Sequence, residues 1–301
     1  MMKHVEVIMS SYNGQKYIER QLDTIFNQKD VFVTCTVRDD GSVDNTLEIL
    51  KKYQKKNTRL KYIKGKNMGW ERSFLEALRL SRKADYYAFA DQDDEWFTNK
   101  LWISVSMLMK EKNQNQPLLF HCNKISTDSK LKPLKQQAKK ISKPINKKNA
   151  LVQEYVQGCS AVINDVAKEM ICNYIPKNIM PHDYWIGLLC YYFGKTIYYS
   201  EPLFYHINHE NNASQDGHLL LSRINRFKQI LKRNGYPNPV EDLLKGYSKF
   251  LSVEDIEFLK NIMNYKQNFR VRVTLLFDKE FCRISELGTA GIKWCILFGE
   301  F

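Results

Sequence analysis

Three stretches of the chain gather side chains able to do polar chemistry. The densest is Asp91-Gln92-Asp93-Asp94, which sets three carboxylates within four residues directly after the apolar run 86–90. Acids that close repel one another unless a cation neutralises them. Hard oxygen ligands of this kind suit Mg²⁺ or Mn²⁺, ions held by one or two carboxylates together with substrate phosphates. The spaced ligand pattern of an EF-hand is missing, which argues against a calcium loop. A plainer reading stays open, in which Asp93 or Asp94 caps a helix beginning near Trp96. The other two stretches are Ser10-Ser11-Tyr12-Asn13 and Asp39-Asp40-Gly41-Ser42.

The hydrophobic pattern places all three at the same edge of a fold. Segment 5–9 is a short apolar run, and Ile18, Leu22, Ile25 and Phe26 then share one helical face. Segment 31–37 is rich in β-branched residues, 46–56 has helical spacing, 60–63 is a further strand, and Phe74, Leu75, Leu78 and Leu80 support a helix before 86–90. This β-α-β-α-β-α-β order predicts a mostly parallel sheet with helices on both faces. Each polar stretch follows a strand, and in open α/β sheets ligands bind beyond the strands' carboxyl ends. Asn, Asp, Gly and Ser are also ordinary turn and cap residues. Three such clusters on one edge favour a ligand site.

Further on, 152–163 reads as a strand region, 165–174 and 182–193 as helices, and 196–199 as β. Segment 123–149, with nine lysines and one acid, reads as a solvated lysine-rich loop insertion. From about 217 the chain becomes helical and basic. Within it, 219–233 alternates Leu219, Leu220, Ile224, Phe227, Ile230 and Leu231 with five basic residues, a pattern that suits either an anionic membrane or a helix packed on its own domain.

The chain has 301 residues, 44% hydrophobic and 13% aromatic, which excludes a disordered chain. Its net charge of +13 implies an anionic partner. The two lysine- and arginine-rich segments, 123–149 and 219–233, contribute +8 and +5, so the remainder is electrically balanced. Seven scattered cysteines without a CxxC pair read as reduced core thiols. No stretch approaches the roughly 18 apolar residues of a membrane span, and the N-terminus lacks a signal-peptide core. The expected location is therefore cytoplasmic, with peripheral contact at the inner face of the membrane.

In order along the chain, the motifs SSYNG, RDDGSVDNT, KNMGWERSF, FADQDDEW, QGCSAVI and PHDYW resemble the family 2 glycosyltransferases of GT-A (Rossmann-like) fold, particularly the bacterial rhamnosyltransferase-like members. The resemblance runs from 5 to about 214. It implies a GT-A catalytic domain over 1–215 and a helical, basic C-terminal extension over 216–301. It further implies an inverting, metal-dependent transfer from a nucleotide-diphosphate sugar, dTDP-rhamnose or UDP-hexose, to a glycan or lipid-linked acceptor in capsule or cell-wall polysaccharide synthesis.

Residue by residue, Ser10, Tyr12 and Asn13 would line the nucleotide pocket. Asp40 would bond the base, with Asp39 beside it, and Asn67 and Gly69 would lie against the nucleotide. Asp91 would hold the ribose or a metal-bound water, with Gln92 next to it. The Mn²⁺ or Mg²⁺ would be bound by Asp93 with Asp91, and His209 would serve as a third ligand or a phosphate contact. His206 stands where the family commonly has Arg. Asp183 would be the catalytic base, weakened by the helix dipole that favours its ionised form, unless it or His182 merely caps the helix. Gly158, Cys159, His182 and Trp185 would face the acceptor, although Cys159 also suits a small buried position. Trp70 and Trp96 suit either stacking on a ligand or packing at the sheet edge.

Two other classes remain. The charge could mark a nucleic-acid binder, but no RNP, helix-turn-helix or zinc-finger pattern is present. A sugar-phosphate nucleotidyltransferase would share the fold, but such enzymes carry a Gly-rich, Arg-containing loop where this chain has SSYNG.

Overall fold

A computed structural model describes residues 2–135, 137, 141, 144–209 and 239–299. The first half follows the expected alternation: β1 (Lys3–Ser11), α1 (Ile18–Phe26), β2 (Val31–Asp39), α2 (Thr46–Lys56), β3 (Leu60–Lys64), α3 (Trp70–Arg79) and β4 (Tyr86–Ala90). These strands pair in parallel in the order β3-β2-β1-β4. Side chains on a strand point alternately to the two faces. On β1, Val5, Val7 and Met9 enter one core and Ile8 the other, and on β4 Tyr86, Ala88 and Ala90 oppose Tyr87 and Phe89. Both faces are therefore covered, as a parallel sheet requires.

Beyond β4 the sheet changes character. The chain continues through β5 (Glu95–Trp96), α4 (Lys100–Met109), β6 (Leu118–Thr127), α5 (Lys147–Val152), a 3₁₀ turn at Gly158–Ser160, β7 (Val162–Asn164), α6 (Asp165–Cys172), α7 (His182–Phe193) and β8 (Lys195–Ile207). The eight-stranded order is β3-β2-β1-β4-β7-β6-β8-β5, with β7 antiparallel to β4 and β6, β6 parallel to β8, and β5 antiparallel to β8.

Two sequence expectations need correction here. The lysine-rich insertion is shorter than 123–149, because Ile125, Ser126 and Thr127 still pair with Tyr205, His206 and Ile207, and a helix resumes at Lys147. Pairing with β8 outweighs the polar composition that read as loop. Likewise no helix begins near Trp96. That residue lies on β5 with its ring buried under Lys100 Nζ, and α4 starts at Lys100 behind Asn99. Neither Asp93 nor Asp94 is a helix cap, which removes the plainer reading of the carboxylates.

Four helices follow: α8 (Val240–Tyr247), α9 (Val253–Asn264), α10 (Phe269–Phe277) and α11 (Glu286–Phe298). Leu243, Tyr247, Leu259, Leu275, Phe281 and Ile296 join the same apolar core as Phe89 and Trp185, so these helices pack onto the sheet's layer rather than standing off it. The expected boundary at 215/216 and the basic stretch 219–233 lie outside the described residues. No described helix is long and apolar enough to cross a membrane. Cys35, Cys122, Cys159, Cys190 and Cys295 are buried, and Cys172 and Cys282 half-buried.

Candidate active site

The loops after β1, β2 and β4 meet at the strands' carboxyl edge and are bonded to one another. Gln92 ties the first to the last: its Oε1 accepts from Ser11 Oγ at 2.8 Å and the Tyr12 amide at 3.1 Å, and its Nε2 donates to Tyr12 O at 3.1 Å. Gly14 must lack a side chain for this to happen, since a Cβ there would lie 2.2 Å from Gln92 Oε1. Asn13, at φ 50°, accepts from the Val43 amide at 3.0 Å and donates its own amide to Ser42 Oγ at 2.9 Å. Ser10 Oγ donates to Ser73 Oγ at 2.7 Å.

Asp39 and Asp40 are buried and act as struts. Asp39 accepts from the Gly41 amide at 3.2 Å, from the Ser42 amide at 3.0 Å, and from Ser42 Oγ. Asp40 is ion-paired to Arg38 and accepts the amides of Met68 at 3.0 Å and Gly69 at 3.1 Å. Arg38 also reaches Ser73 Oγ and Lys66 O, each at 3.0 Å. The carboxylate expected to read a base is thus engaged in holding the Asn67–Gly69 loop. Gly69 sits at φ 85°, in the left-handed region that favours glycine, and opens α3. Tyr12, Asn13 and Asn67 are the exposed members of this group.

The carboxylates fall into two groupings, joined by the charge of Asp93 acting on Asp91. Asp93 Oδ2 lies 2.7 Å from His209 Nε2, and the His209 ring stacks on Tyr17 at 4.4 Å. Separately, ligand atoms of Asp91, Asp94, Cys159 and His206 lie within 4.8 Å of one another. His206, in the position where Arg was expected, is buried with Nδ1 2.9 Å from Asp94 Oδ1. Burial opposes a charge on His206, but the hydrogen bond and charge of Asp94 raise its pKa. Burial, then the charges of Asp94 and Asp93, push Asp91 up to about 8. Asp93 is raised by the same two causes, burial first and Asp94 second, against a lowering by His209.

A divalent cation fits this chemistry. Buried, mutually repelling carboxylates are relieved by a bound cation, and Asp94 Oδ2 and His206 Nε2 have no hydrogen-bond partner among the described residues. Carboxylate ligands suit Mn²⁺ or Mg²⁺.

Asp183 occupies the first turn of α7, only 8% exposed. Its Oδ2 accepts the Gly158 amide at 2.8 Å and its Oδ1 the Tyr184 amide at 3.0 Å. Burial, then the charge of Glu154, raise its pKa to about 8. This corrects the expectation of a dipole-weakened base: desolvation and a neighbouring acid outweigh the helix terminus. His182 is stacked on Phe74 at 3.9 Å and set edge-on to Trp70 at 5.8 Å, with both ring nitrogens unpartnered and a pKa lowered to about 4 by burial. Trp70 itself is 39% exposed, while Cys159 is buried in the Asp91 and Asp94 grouping.

Trp185 does not face an acceptor. It is 0% exposed and packs against Tyr174 and Tyr247, because on α7 it points opposite to Asp183 into the core. Arg38 and Glu154 are the residues of this site that motif reading passed over, while Asp94 and His206 were noticed but given no ligand role of their own. Only Arg38 carried a local signal, as the residue opening RDDGS.

Comparisons with known proteins bear on the family and the fold. The sequence model of Glycosyl transferase family 2 matches residues 6–171. The dTDP-rhamnosyl transferase RfbG of Shigella flexneri is 34% identical over 106 residues, 34% of this chain and 37% of its own length. The chain thus spans little more than a third of that relative. Among solved structures, S. aureus TarS 1-349 in complex with UDP-GlcNAc aligns with a TM-score of 0.57 at 14% identity, covering 100% of this chain and 93% of that one. The mannosyltransferase PcManGT of Pyrobaculum calidifontis, in complex with GDP-Man and Mn²⁺, aligns with a TM-score of 0.53 at 16% identity, covering 100% and 81%. Identities this low establish the fold, which is GT-A. The family match sets aside both the nucleic-acid binder and the nucleotidyltransferase. With more than half its length matched, the chain belongs to glycosyl transferase family 2.

Proposed function

We propose that the enzyme transfers a sugar, with inversion, from a nucleoside-diphosphate donor to a hydroxyl of a glycan or lipid-linked oligosaccharide in bacterial surface polysaccharide synthesis. The observation that carries this reading is Asp183, a single buried carboxylate pinned by the Gly158 amide and pushed up to about 8. A group with a pKa near the working pH is suited to take a proton from an attacking hydroxyl. Its charge also acts on Asp91, so base and donor-side carboxylates share one site. Direct displacement with one base and no protein nucleophile inverts the anomeric centre.

On the donor side, exposed Tyr12, Asn13 and Asn67 are the groups available to a nucleotide, with Ser10, Asp39, Asp40, Gly69 and Gln92 setting the loops around them. Asp93, Asp91 and His209 would hold Mn²⁺ or Mg²⁺, which when bound stabilises negative charge developing on a diphosphate leaving group. Support for the donor class comes from the complexes of the fold relatives with UDP-GlcNAc and with GDP-Man and Mn²⁺. RfbG, named a dTDP-rhamnosyl transferase, favours dTDP-rhamnose over a UDP-hexose. Gly158, Cys159 and His182 frame the acceptor side. The location consistent with such an acceptor is the inner face of the cell membrane.

A donor screen with Mn²⁺ or Mg²⁺, read by nucleoside-diphosphate release through slow hydrolysis, tests the proposal without an acceptor. Release from one nucleotide sugar is expected. No release from any donor, or pyrophosphate release from a nucleoside triphosphate and a sugar phosphate, would refute it.

A further inference from the structure

Helix α11 is apolar on nearly every side. Its only charged residues are Glu286 and Lys293, yet among the described residues just one side of it is covered. Ile292, Cys295 and Ile296 face the core, while Leu287, Trp294, Leu297 and Phe298 stand 84%, 49%, 47% and 58% exposed. Their spacing of seven and then three to four residues puts them on one stripe of the helix. A helix hydrophobic all round is ordinarily buried on all sides. Its neighbour α10 adds Phe269 and Phe277, 73% and 79% exposed. The two helices are clamped as a pair: Lys293 Nζ donates to Leu275 O at 2.6 Å and Asp278 O at 2.9 Å, and Arg272 Nη1 donates to Leu297 O at 3.3 Å.

We propose that this helical pair is the surface by which the enzyme seats on an anionic lipid bilayer. Charge favours that occupant. Lys266, Arg270 and Lys279 are exposed on and beside α10, whereas the acids Asp278 and Glu280 are drawn onto Lys148 and the exposed acid of α11, Glu286, sits in its first turn beside Leu287. Tryptophan, phenylalanine and leucine bordered by cations match an interfacial helix that buries its apolar side among headgroups and acyl chains.

Position favours it too. The turn between α10 and α11 is bonded to the segment leading to the acceptor loop: Asn149 Nδ2 donates to Glu280 O and Cys282 O, each at 2.9 Å, and the Ile284 amide donates to Gln153 Oε1 at 3.2 Å. The next residue, Glu154, is hydrogen-bonded to Asp183. Seating this pair on a bilayer brings the base toward an acceptor carried by lipid. The inference deepens the proposed acceptor class and rests on it only for that last step.

Vesicle flotation tests it with the full chain. The wild type is expected to float with vesicles containing phosphatidylglycerol and not with pure phosphatidylcholine. Trp294→Glu combined with Leu297→Glu is expected to lower vesicle partitioning about tenfold or more, while Tm and donor hydrolysis stay unchanged. Wild type that stays with the pellet for both vesicles, or a double variant that floats like wild type, overturns the proposal. So does a wild-type dimer that the double variant turns into monomers, since the stripe would then be covered by a second copy. A large fall in Tm overturns it as well, because the stripe would then be covered within the chain. Loss of flotation only when the five basic residues of 219–233 are neutralised, with the double variant unaffected, overturns it by assigning the membrane to that segment. Flotation is independent of donor hydrolysis, so this inference and the proposed reaction can fail separately.

Discussion

Gly158 gives its backbone amide to Asp183 Oδ2 at 2.8 Å and has no room for a side chain beside it. A Cβ at this glycine would stand 2.7 Å from His182 Nε2 and 3.3 Å from Asp183 Oδ2. Both neighbours are buried and His182 is held against Phe74, so neither can swing aside. Gly158→Ala should therefore displace the carboxylate it positions. The expected result is a fall in kcat of about tenfold or more, because small misplacements of a catalytic group carry large rate penalties. Donor KM should change less than kcat, since the amide that is displaced is bonded to Asp183. An unchanged kcat would mean the 3₁₀ turn plays no part in positioning the base.

Asp183→Asn removes the proton acceptor while keeping the shape. Turnover should drop by about 10² or more with donor binding intact. The pH dependence supplies a sharper test. Only the ionised carboxylate accepts a proton, and burial together with Glu154 hold it protonated up to about 8. The rate should rise with pH through that region and level off above it. Glu154→Gln removes the neighbouring negative charge, so the same limb should move to lower pH. A profile that ignores Glu154 would place the titrating group elsewhere.

Much of this arrangement was legible in the chain, and the exceptions have a common cause. Short apolar runs at 5–9 and 86–90 marked β1 and β4 because both faces of those strands are buried. The polar residues after β1, β2 and β4 were placed at one edge by strand order alone. By contrast, His206 and Asp94 lie 112 residues apart in sequence, and they meet only because β8 runs thirteen residues alongside β6 and brings in β5. The aromatic and polar mixture of 198–206 has no clean period to announce that length. Glu154 sits outside any regular element, and nothing in its neighbours points to Asp183.

The Asp91 carboxylate predicts how a cation should bind. In the metal-free protein, burial and the charges of Asp94 and Asp93 keep its proton on up to about 8. A cation that takes this site must displace the proton. Affinity for Mn²⁺ should therefore climb as pH rises toward 8, and calorimetry in buffers of different ionisation enthalpy should reveal protons released at neutral pH. Chelation should abolish donor hydrolysis, and Asp93→Asn should weaken Mn²⁺ binding by about tenfold or more. Binding without pH dependence would place the cation away from Asp91.

Asp40 separates a structural role from a recognition role. Its carboxylate and the Arg38 guanidinium are each only 3% exposed, and the same carboxylate holds the Met68 and Gly69 amides. Asp40→Ala would leave Arg38 buried with its charge uncompensated. Breaking a buried pair from one side costs about 3–5 kcal/mol, far more than the loss of one ligand contact would remove from folding stability. Chemical denaturation should therefore report a large loss for Asp40→Ala. A donor KM that rises with stability untouched would instead mark Asp40 as a base contact and nothing more. The companion variant Asn67→Ala keeps the ion pair and the Asp40 bonds to the Met68 and Gly69 amides and loses only its own 3.3 Å bond to the Gly69 amide, so it should weaken donor binding while moving the denaturation midpoint far less than Asp40→Ala does. A matching loss of stability in both variants would break this distinction, since exposed Asn67 takes no part in the buried pair.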